Sequence, residues 1–160
     1  MLSDEPDNAQ VRIPPPILFA LCLIAGWCLD QGQSWLILPA TGWYGPRVAL
    51  SGALILLGLG LILYCARQFK QAHTHIEPWR PTSSVITNGP YRFSRNPIYL
   101  GIVITGAGIA LAFNTCWMLF SVLAFALIAN KHVIEKEEDY LDRKFGESYS
   151  NYRRETRRRL

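Results

Sequence analysis

The chain alternates between long apolar stretches and shorter charged ones, and this pattern predicts its helices. Residues 48–66 carry no charged side chain, and neither do residues 96–130. An α-helix rises about 1.5 Å per residue, so residues 96–130 would form a single helix about 50 Å long, against a hydrocarbon core of about 30 Å. This second stretch must therefore reverse its direction.

Asn114 is the only strongly polar side chain in the middle of that stretch, so we place the reversal at residues 113–115. An earlier apolar segment ends before Asp30, and the acidic residues that precede it are unlike those of a signal peptide. The pattern predicts an all-α fold, a polytopic membrane helix bundle with about four transmembrane helices. They lie at residues 13–29, 48–66, 97–113 and 115–130, the third and fourth form a hairpin, and a C-terminal cytoplasmic helix follows.

The charged segments predict the orientation of the spans. Residues 67–95 contain five Arg or Lys against Glu77, and residues 131–160 contain nine against seven acids. The other two connections hold few charges, so the positive-inside rule places the loop 67–95, the tail 131–160 and the N-terminus in the cytoplasm. We expect residues 1–12 to be disordered and residues 13–160 to form a single domain.

The predicted spans contain no Asp, Glu, Lys, Arg or His. Transporters and ion channels usually need such groups at mid-membrane, so the pattern argues against both classes. Any chemistry belongs at the cytoplasmic face, where the third span begins and the fourth ends. The arginines at residues 153–159 favour contact with membrane lipids rather than with nucleic acid.

The segment before the third span, "NGPYRFSRNPIYLG" at residues 88–101, combines a turn signal with a helix start. Asn96 is a helix cap, and Pro97 at the first helical position has no amide hydrogen to leave unpaired. The helix start and the nearby Arg92 and Arg95 form a place that attracts an anion. The alternative is that these arginines bind lipid headgroups and that the tyrosines belong to an interfacial aromatic belt.

In the tail, Ile134, Glu138, Leu141 and Phe145 fall on one helical face, and Gly146 is a stop signal. A carboxylate on an apolar face needs a partner, either a bound cation or a side chain such as Lys131 or a nearby arginine. Glu135 is expected to be solvated. Tyr149 and Tyr152 are expected to pack at the membrane interface, and His73 and His75 lack a third ligand for a metal.

The segments "TNGPYRFSRNPIYLG" (residues 87–101) and "VIEKEEDYLDRKFGESYSNYRR" (residues 133–154) together resemble the membrane methyltransferase superfamily of isoprenylcysteine carboxyl methyltransferases and phospholipid methyltransferases. The resemblance covers about the last 75 residues and is closer to the bacterial-type branch. It implies a multi-pass protein of the bacterial cytoplasmic membrane that uses S-adenosylmethionine to methylate a lipophilic acceptor reaching it from the bilayer. The acceptor class, an isoprenylcysteine carboxylate or a phospholipid amine, stays open.

The resemblance also implies the residues of the site. Arg95, Glu137 and Glu138 would be catalytic, and no metal would take part. The cofactor would be bound by Tyr91, Arg95, Asn96, Tyr99, Leu100, Gly101, Glu137 and Glu138. The alternative from another class is a non-catalytic four-span protein that binds anionic lipid or a partner through its basic cytoplasmic face.

Overall fold

The structure, a computed structural model, describes residues 7–11, 13–39, 41–77 and 79–158. These residues form six α-helices and no strand, and their only bridge pairs Leu36 with Thr115. The helices are α1 (Pro15–Gly32), α2 (Tyr44–Gln71), α3 (Pro97–Phe113), α4 (Cys116–Ala129), α5 (Glu135–Phe145) and α6 (Glu147–Glu155). The predicted all-α bundle is confirmed.

Three helical segments of the described chain are long and apolar enough to cross a membrane: α1, α2 and the continuous helix Cys116–Phe145. The last of these joins α4 to α5 through a π-helical turn at Asn130–Ile134, and its apolar part is α4. Helix α3 is a shorter apolar helix of 17 residues. At about 1.5 Å per residue it is about 25 Å long, close to the lower limit for spanning a bilayer.

The reversal between α3 and α4 lies at Asn114, as predicted. Asn114 takes the left-handed conformation with φ = 56°, and its side chain makes two hydrogen bonds with the backbone of Leu38, which donates one and accepts the other. Thr115 then caps α4 by accepting a hydrogen bond from the Trp117 amide at 3.2 Å. This turn lies at the end of the bundle opposite to α5.

The long helices pack in two pairs. Helix α2 lies against α3, and α1 lies against α4, while α3 and α4 contact each other as a hairpin. Gly108 lets the backbones of α2 and α3 approach closely, since a Cβ added there would lie 2.9 Å from the carbonyl oxygen of Ser51. The other long faces of α1 and α2 are largely exposed, as expected for helices surrounded by lipid.

Two helices extend beyond their predicted ends. Helix α1 continues through Asp30 to Gly32, because the Asp30 carboxylate accepts a hydrogen bond from the Thr115 hydroxyl at 2.7 Å. Helix α2 runs 28 residues, five beyond the predicted end at residue 66, because its polar last turn packs against the loop that follows. Phe69 there contacts the ring of Tyr91 edge to face, with centroids 5.9 Å apart.

The tail helix predicted to stop at Gly146 is confirmed as α5, and a second helix, α6, follows it. Helix α5 ends at Phe145, and Gly146 follows with φ = 52°, a conformation that glycine adopts readily. Helix α6 then turns back, so that Tyr149 and Tyr152 lie in a buried cluster with Cys65 and Tyr91. The interfacial packing predicted for these two tyrosines is therefore wrong.

Disorder is predicted for residues 1–12. Of these, residues 1–6 and Arg12 lie outside the described residues. Residues 7–11 lie against α5: Asp7 accepts hydrogen bonds from the Tyr140 hydroxyl, at 2.9 Å, and from the Lys144 ammonium. Ala9 is buried. The N-terminal segment therefore contributes to the same end of the molecule as the predicted site.

Candidate active site

The site forms where the start of α3, the loop before it and helix α5 meet. A short 3-10 turn at Gly89–Arg92 directs the chain toward α3. Asn96 stands at the N-cap position of α3 and Pro97 at its first helical position. The prediction that the Asn96 side chain caps the helix is wrong, because it makes no such bond. Instead its side-chain nitrogen is buried without a hydrogen-bond partner.

Arg95 is held beside this helix start and is nearly buried, with its side chain 10 % exposed. Its backbone amide donates to the carbonyl oxygen of Arg157 at 3.3 Å. Its Nη1 lies 3.4 Å from Oε1 of Glu138, but neither Nε nor Nη1 makes a hydrogen bond. A buried guanidinium with donors to spare favours an anionic ligand.

Glu138 lies on the inner face of α5, as the spacing predicted, and only 3 % of it is exposed. The Arg158 guanidinium binds its carboxylate through two nitrogens, with Nε to Oε1 at 3.1 Å and Nη2 to Oε2. The same guanidinium donates to Oδ1 of Asn130 at 3.2 Å. Two arginines therefore supply the partner that a buried carboxylate requires.

Glu137, the preceding residue, has a different environment. The Tyr99 hydroxyl donates a hydrogen bond of 2.6 Å to its Oε1. Burial raises the pKa of Glu137 to about 7, the Tyr99 hydrogen bond opposes this rise, and the charge of Glu138 adds to it. A carboxyl group with a pKa near neutrality can accept and release a proton at physiological pH.

Buried tyrosines line the wall opposite α5. The Tyr152 hydroxyl donates to the carbonyl oxygen of Tyr91 at 2.7 Å and ties α6 to the turn before α3. Burial raises the pKa of Tyr91 well above its ordinary value, so its phenol stays neutral. The faces of such rings are favourable neighbours for a cation.

A cavity of about 490 Å³ lies between these elements. Its polar end is lined by Arg95, Asn96, Glu137 and Glu138, and its roof by the loop between α2 and α3, which includes His75 and Trp79. On the other side it is lined by apolar side chains of α1, α2 and α3, namely Phe19, Leu59, Ile62, Ile98 and Ile102. The cavity thus joins a charged end to an apolar side within the bundle.

Most of the predicted site residues meet at this cavity. Tyr91, Arg95, Asn96, Tyr99, Glu137 and Glu138 all line it. Leu100 and Gly101 do not: Gly101 faces α2, where a Cβ would lie 2.9 Å from the carbonyl oxygen of Gly58. Arg92 is exposed on the outside. Within the described residues, no three His, Cys, Asp or Glu side chains are grouped so that they could hold a metal ion.

Sequence reasoning missed two residues of this region. Arg158 was expected to contact lipid, but it binds Glu138. Tyr140 had no predicted role, yet its hydroxyl accepts hydrogen bonds from the Thr82 amide and the Lys144 ammonium and donates to Asp7. The contact of Arg158 with Glu138 and those of Tyr140 with Thr82 and Asp7 follow no local spacing, because they join residues 20 or more positions apart. For Arg158 the one available signal was the predicted need of Glu138 for a cationic partner.

Comparison with known proteins identifies the family of the chain. The family model of phospholipid methyltransferases matches residues 46–148, which include α3, α4, α5, all but the first two residues of α2, and every residue of the predicted site. The search of curated proteins found no match. The matched segment covers more than half of the chain and carries both walls of the polar end of the cavity. The chain belongs to the phospholipid methyltransferase family and is a membrane methyltransferase.

Proposed function

We propose that the protein transfers a methyl group from S-adenosylmethionine to a lipophilic acceptor of the isoprenylcysteine carboxylate or phospholipid amine class. One observation carries this proposal: a single cavity has a charged end, formed by Arg95, Asn96, Glu137 and Glu138, and an apolar side toward the membrane helices. The charged end suits a polar cofactor, and the apolar side suits a lipid chain.

The residues present fit S-adenosylmethionine. The molecule carries a carboxylate, an ammonium and a sulfonium, and it needs donors, acceptors and cation-tolerant surfaces. Arg95 and Asn96 have buried donor nitrogens without hydrogen bonds, and Glu137 and Glu138 supply carboxylates. Tyr91 and Tyr99 supply rings that favour a cation. The cavity volume, about 490 Å³, lies in the usual range of roughly 300–1,000 Å³ for ligand pockets.

When bound, S-adenosylmethionine would supply a methyl group already activated by its sulfonium. The tasks left to the protein are alignment of the two reactants and exclusion of water. Arg95 and Asn96 would hold the carboxylate end of the cofactor. The loop between α2 and α3, with Trp79, Val85 and Ile86 on the cavity, would separate the site from water.

The acceptor would reach the cavity from the side, between α1 and α2. These two helices pack against different partners, α4 and α3 respectively. Phe19 of α1 and Leu59 and Ile62 of α2 lie on the two sides of the cavity, with Ile102 of α3 between them. A hydrocarbon chain placed there would leave its polar head near Glu137.

Glu137 is the residue we propose as general base. An amine acceptor must lose a proton before or during methyl transfer, and Glu137 has both a position on the cavity and a pKa of about 7. A carboxylate acceptor needs no base, so Glu137 would then contribute to ligand binding and not to proton transfer. The position of the charged end and of the basic segments supports cytoplasmic N- and C-termini. The resemblance of the sequence to the bacterial-type branch supports a bacterial cytoplasmic membrane.

The proposal is tested by transfer of a labelled methyl group from S-adenosylmethionine by the detergent-purified protein. Two acceptors are compared, phosphatidylethanolamine and N-acetyl-S-farnesylcysteine, each in mixed micelles. We expect label in one of the two lipid products. Folded protein that labels neither acceptor and binds no S-adenosylmethionine would contradict the proposal and favour a lipid-binding protein without catalysis.

A further inference from the structure

Arg158 lies in the tail beyond α6 and makes a fork-shaped contact with the candidate site. Its Nε and Nη2 bind the two oxygens of the Glu138 carboxylate, and its Nη1 lies 3.2 Å from Oδ1 of Asn130. A planar guanidinium that binds a carboxylate through two parallel bonds fixes both the position and the orientation of that carboxylate. Asn130 belongs to the π-helical turn, so Arg158 also spans the junction between α4 and α5.

The same stretch of tail makes a second contact with the site. The carbonyl oxygen of Arg157 accepts a hydrogen bond of 3.3 Å from the backbone amide of Arg95. Arg95 in turn lies 3.4 Å from Glu138. Adjacent residues of the tail therefore contact both members of the Arg95–Glu138 pair, one through its backbone and one through its side chain. Arg158 lies outside the segment 46–148 that matches the family model.

We propose that Arg158 is a positioning residue of the methyltransferase site, which holds the Glu138 carboxylate in place against Arg95. This inference rests on the proposed function, because it assigns a role within that same site. Glu138 is 3 % exposed, and a buried carboxylate requires donors that satisfy its lone pairs. Arg95 alone satisfies it poorly, since its Nη1 makes no hydrogen bond.

The charged and titratable groups around Glu137 determine how loss of Arg158 would change the pH dependence of the reaction. Tyr99 faces it from α3, Tyr91 from the turn before α3, and Glu138 from α5. Arg95 and Arg158 pair with Glu138, and Arg158 also lies 3.8 Å from Glu135. Loss of the Arg158 charge would leave Glu138 less compensated, and its negative charge would disfavour ionisation of Glu137 more strongly. The pH midpoint of any step that needs ionised Glu137 should therefore rise.

The contact itself is tested by a double-mutant cycle on thermal unfolding in detergent, which requires no activity. The variants are Arg158→Gln, Glu138→Gln and the pair. Arg153→Gln is the matched control, since Arg153 in the same tail binds Asp142 at 2.7 Å near the surface. We expect the effects of Arg158→Gln and Glu138→Gln to be far from additive and Arg153→Gln to change little. Additive effects would overturn the proposal.

The role in the site is tested by calorimetric binding of S-adenosylmethionine and by the pH profile of methyl transfer. We expect Arg158→Gln to weaken binding by at least about tenfold, as for other broken buried charge pairs, and to raise the pH midpoint. Arg158→Lys, which keeps the charge but not the fork, should restore both in part. If the wild type binds S-adenosylmethionine and Arg158→Gln binds it with an affinity within twofold of the wild type, this inference alone is overturned. If the wild type does not bind S-adenosylmethionine, the proposed function is overturned.

Discussion

Two adjacent glutamates differ because their partners differ. Glu138 points to the inner face of α5 and is bound by Arg158, with Arg95 at 3.4 Å. Glu137 meets a neutral phenol, the Tyr99 hydroxyl at 2.6 Å, and has the pKa of about 7 that burial gives it. The arginines give Glu138 charged donors, whereas the Tyr99 hydroxyl gives Glu137 one neutral donor. The pair therefore separates an electrostatic role from a proton-transfer role.

The first prediction concerns Glu137→Gln. If the acceptor is an amine, the variant should lose at least about a hundredfold in rate, the usual scale of general base catalysis. In the wild type the rate should rise with pH through about 7, because the base acts in its ionised form. The measurement is the initial rate of methyl transfer from pH 5.5 to 9.

The control for this variant is Glu147→Gln, which removes an exposed carboxylate of α6 and should leave the rate and its pH dependence unchanged. A Glu137→Gln variant that methylates phosphatidylethanolamine at the wild-type rate would show that Glu137 is not the base. Retained activity toward a carboxylate acceptor alone would agree with the account, since that reaction needs no base.

At the residue scale, the sequence predicted which side chains take part in the site but not which side chains they contact. The spacing of Ile134 and Glu138 predicted a carboxylate on an apolar face, and burial of both side chains confirms it. The residue that pairs with Glu138 could not be predicted, because Arg158 is one of five arginines within seven positions. Only the turn at Gly146 and the course of α6 decide which of them reaches the site.

Among the elements, α2 and α3 form a close helix pair. Gly108 of α3 lies against the backbone of α2, and a Cβ there would approach Ser51 O at 2.9 Å and the Ile55 amide nitrogen at 3.0 Å. Small residues allow such close packing between membrane helices. Gly60 of α2 faces open space instead. The two glycines are therefore a matched pair, one at a helix contact and one outside it.

The second prediction uses this pair. Gly108→Ala should destabilise the protein by about 1–3 kcal/mol, the typical cost of overpacking a close contact. Gly60→Ala should be neutral or slightly stabilising, because alanine favours the helix and its methyl group meets no atom. Thermal unfolding in detergent measures both. Equal stability of the two variants would contradict the closeness of the α2–α3 contact.

The Tyr140 hydroxyl connects three segments around the cavity. It accepts from the Thr82 amide at 3.1 Å in the loop between α2 and α3, and it donates to Asp7 in the N-terminal segment at 2.9 Å. Lys144 donates to both Tyr140 and Asp7. Through this hydroxyl, helix α5 holds the loop that covers the cavity.

The third prediction follows from that network. Tyr140→Phe keeps the ring but removes the hydroxyl, so the loop should open more often. We expect faster hydrogen exchange at residues 79–86 and unchanged exchange in α3 and α4, measured by mass spectrometry. Tyr44→Phe, at an exposed position on the first turn of α2, is the control. Unchanged exchange in the loop would show that other contacts hold it closed.

Helix positions were largely predictable, and helix ends were less so. Uncharged apolar runs define α1 to α4, and a single asparagine inside the longest run was enough to locate the turn at Asn114. The extensions of α1 and α2 depend on tertiary partners, Thr115 for Asp30 and Tyr91 for Phe69. The pattern of one segment contains no information about such partners.

For the whole molecule, the cavity has one side formed by the covering loop and a second side formed by the apolar helices. The loop with Trp79 and the N-terminal segment with Ala9 lie at the first, and Phe19 and Leu59 at the second. A polar cofactor and a lipid chain could therefore approach the same reaction centre from different sides. The turn at Asn114, at the opposite end of the bundle, takes no part in this arrangement.

The fourth prediction tests the apolar side of the cavity separately from its charged end. Leu59 lines the cavity and is 44 % exposed, so Leu59→Trp should obstruct the passage between α1 and α2. We expect a higher KM for the lipid acceptor and unchanged affinity for S-adenosylmethionine. Leu57→Trp, at a position 60 % exposed on α2 and outside the cavity lining, should alter neither. A weaker cofactor affinity with an unchanged acceptor KM would place the acceptor elsewhere.

The central claim is tested most directly by calorimetric titration of the purified protein with S-adenosylmethionine, together with Asn96→Ala and the matched control Asn151→Ala. Asn96 is buried at the charged end of the cavity, whereas Asn151 is exposed on α6. We predict saturable binding to the wild type and to Asn151→Ala and a clear loss of affinity in Asn96→Ala. Absence of binding to folded wild-type protein, or equal affinity in all three, would contradict the assignment of the cofactor to this cavity.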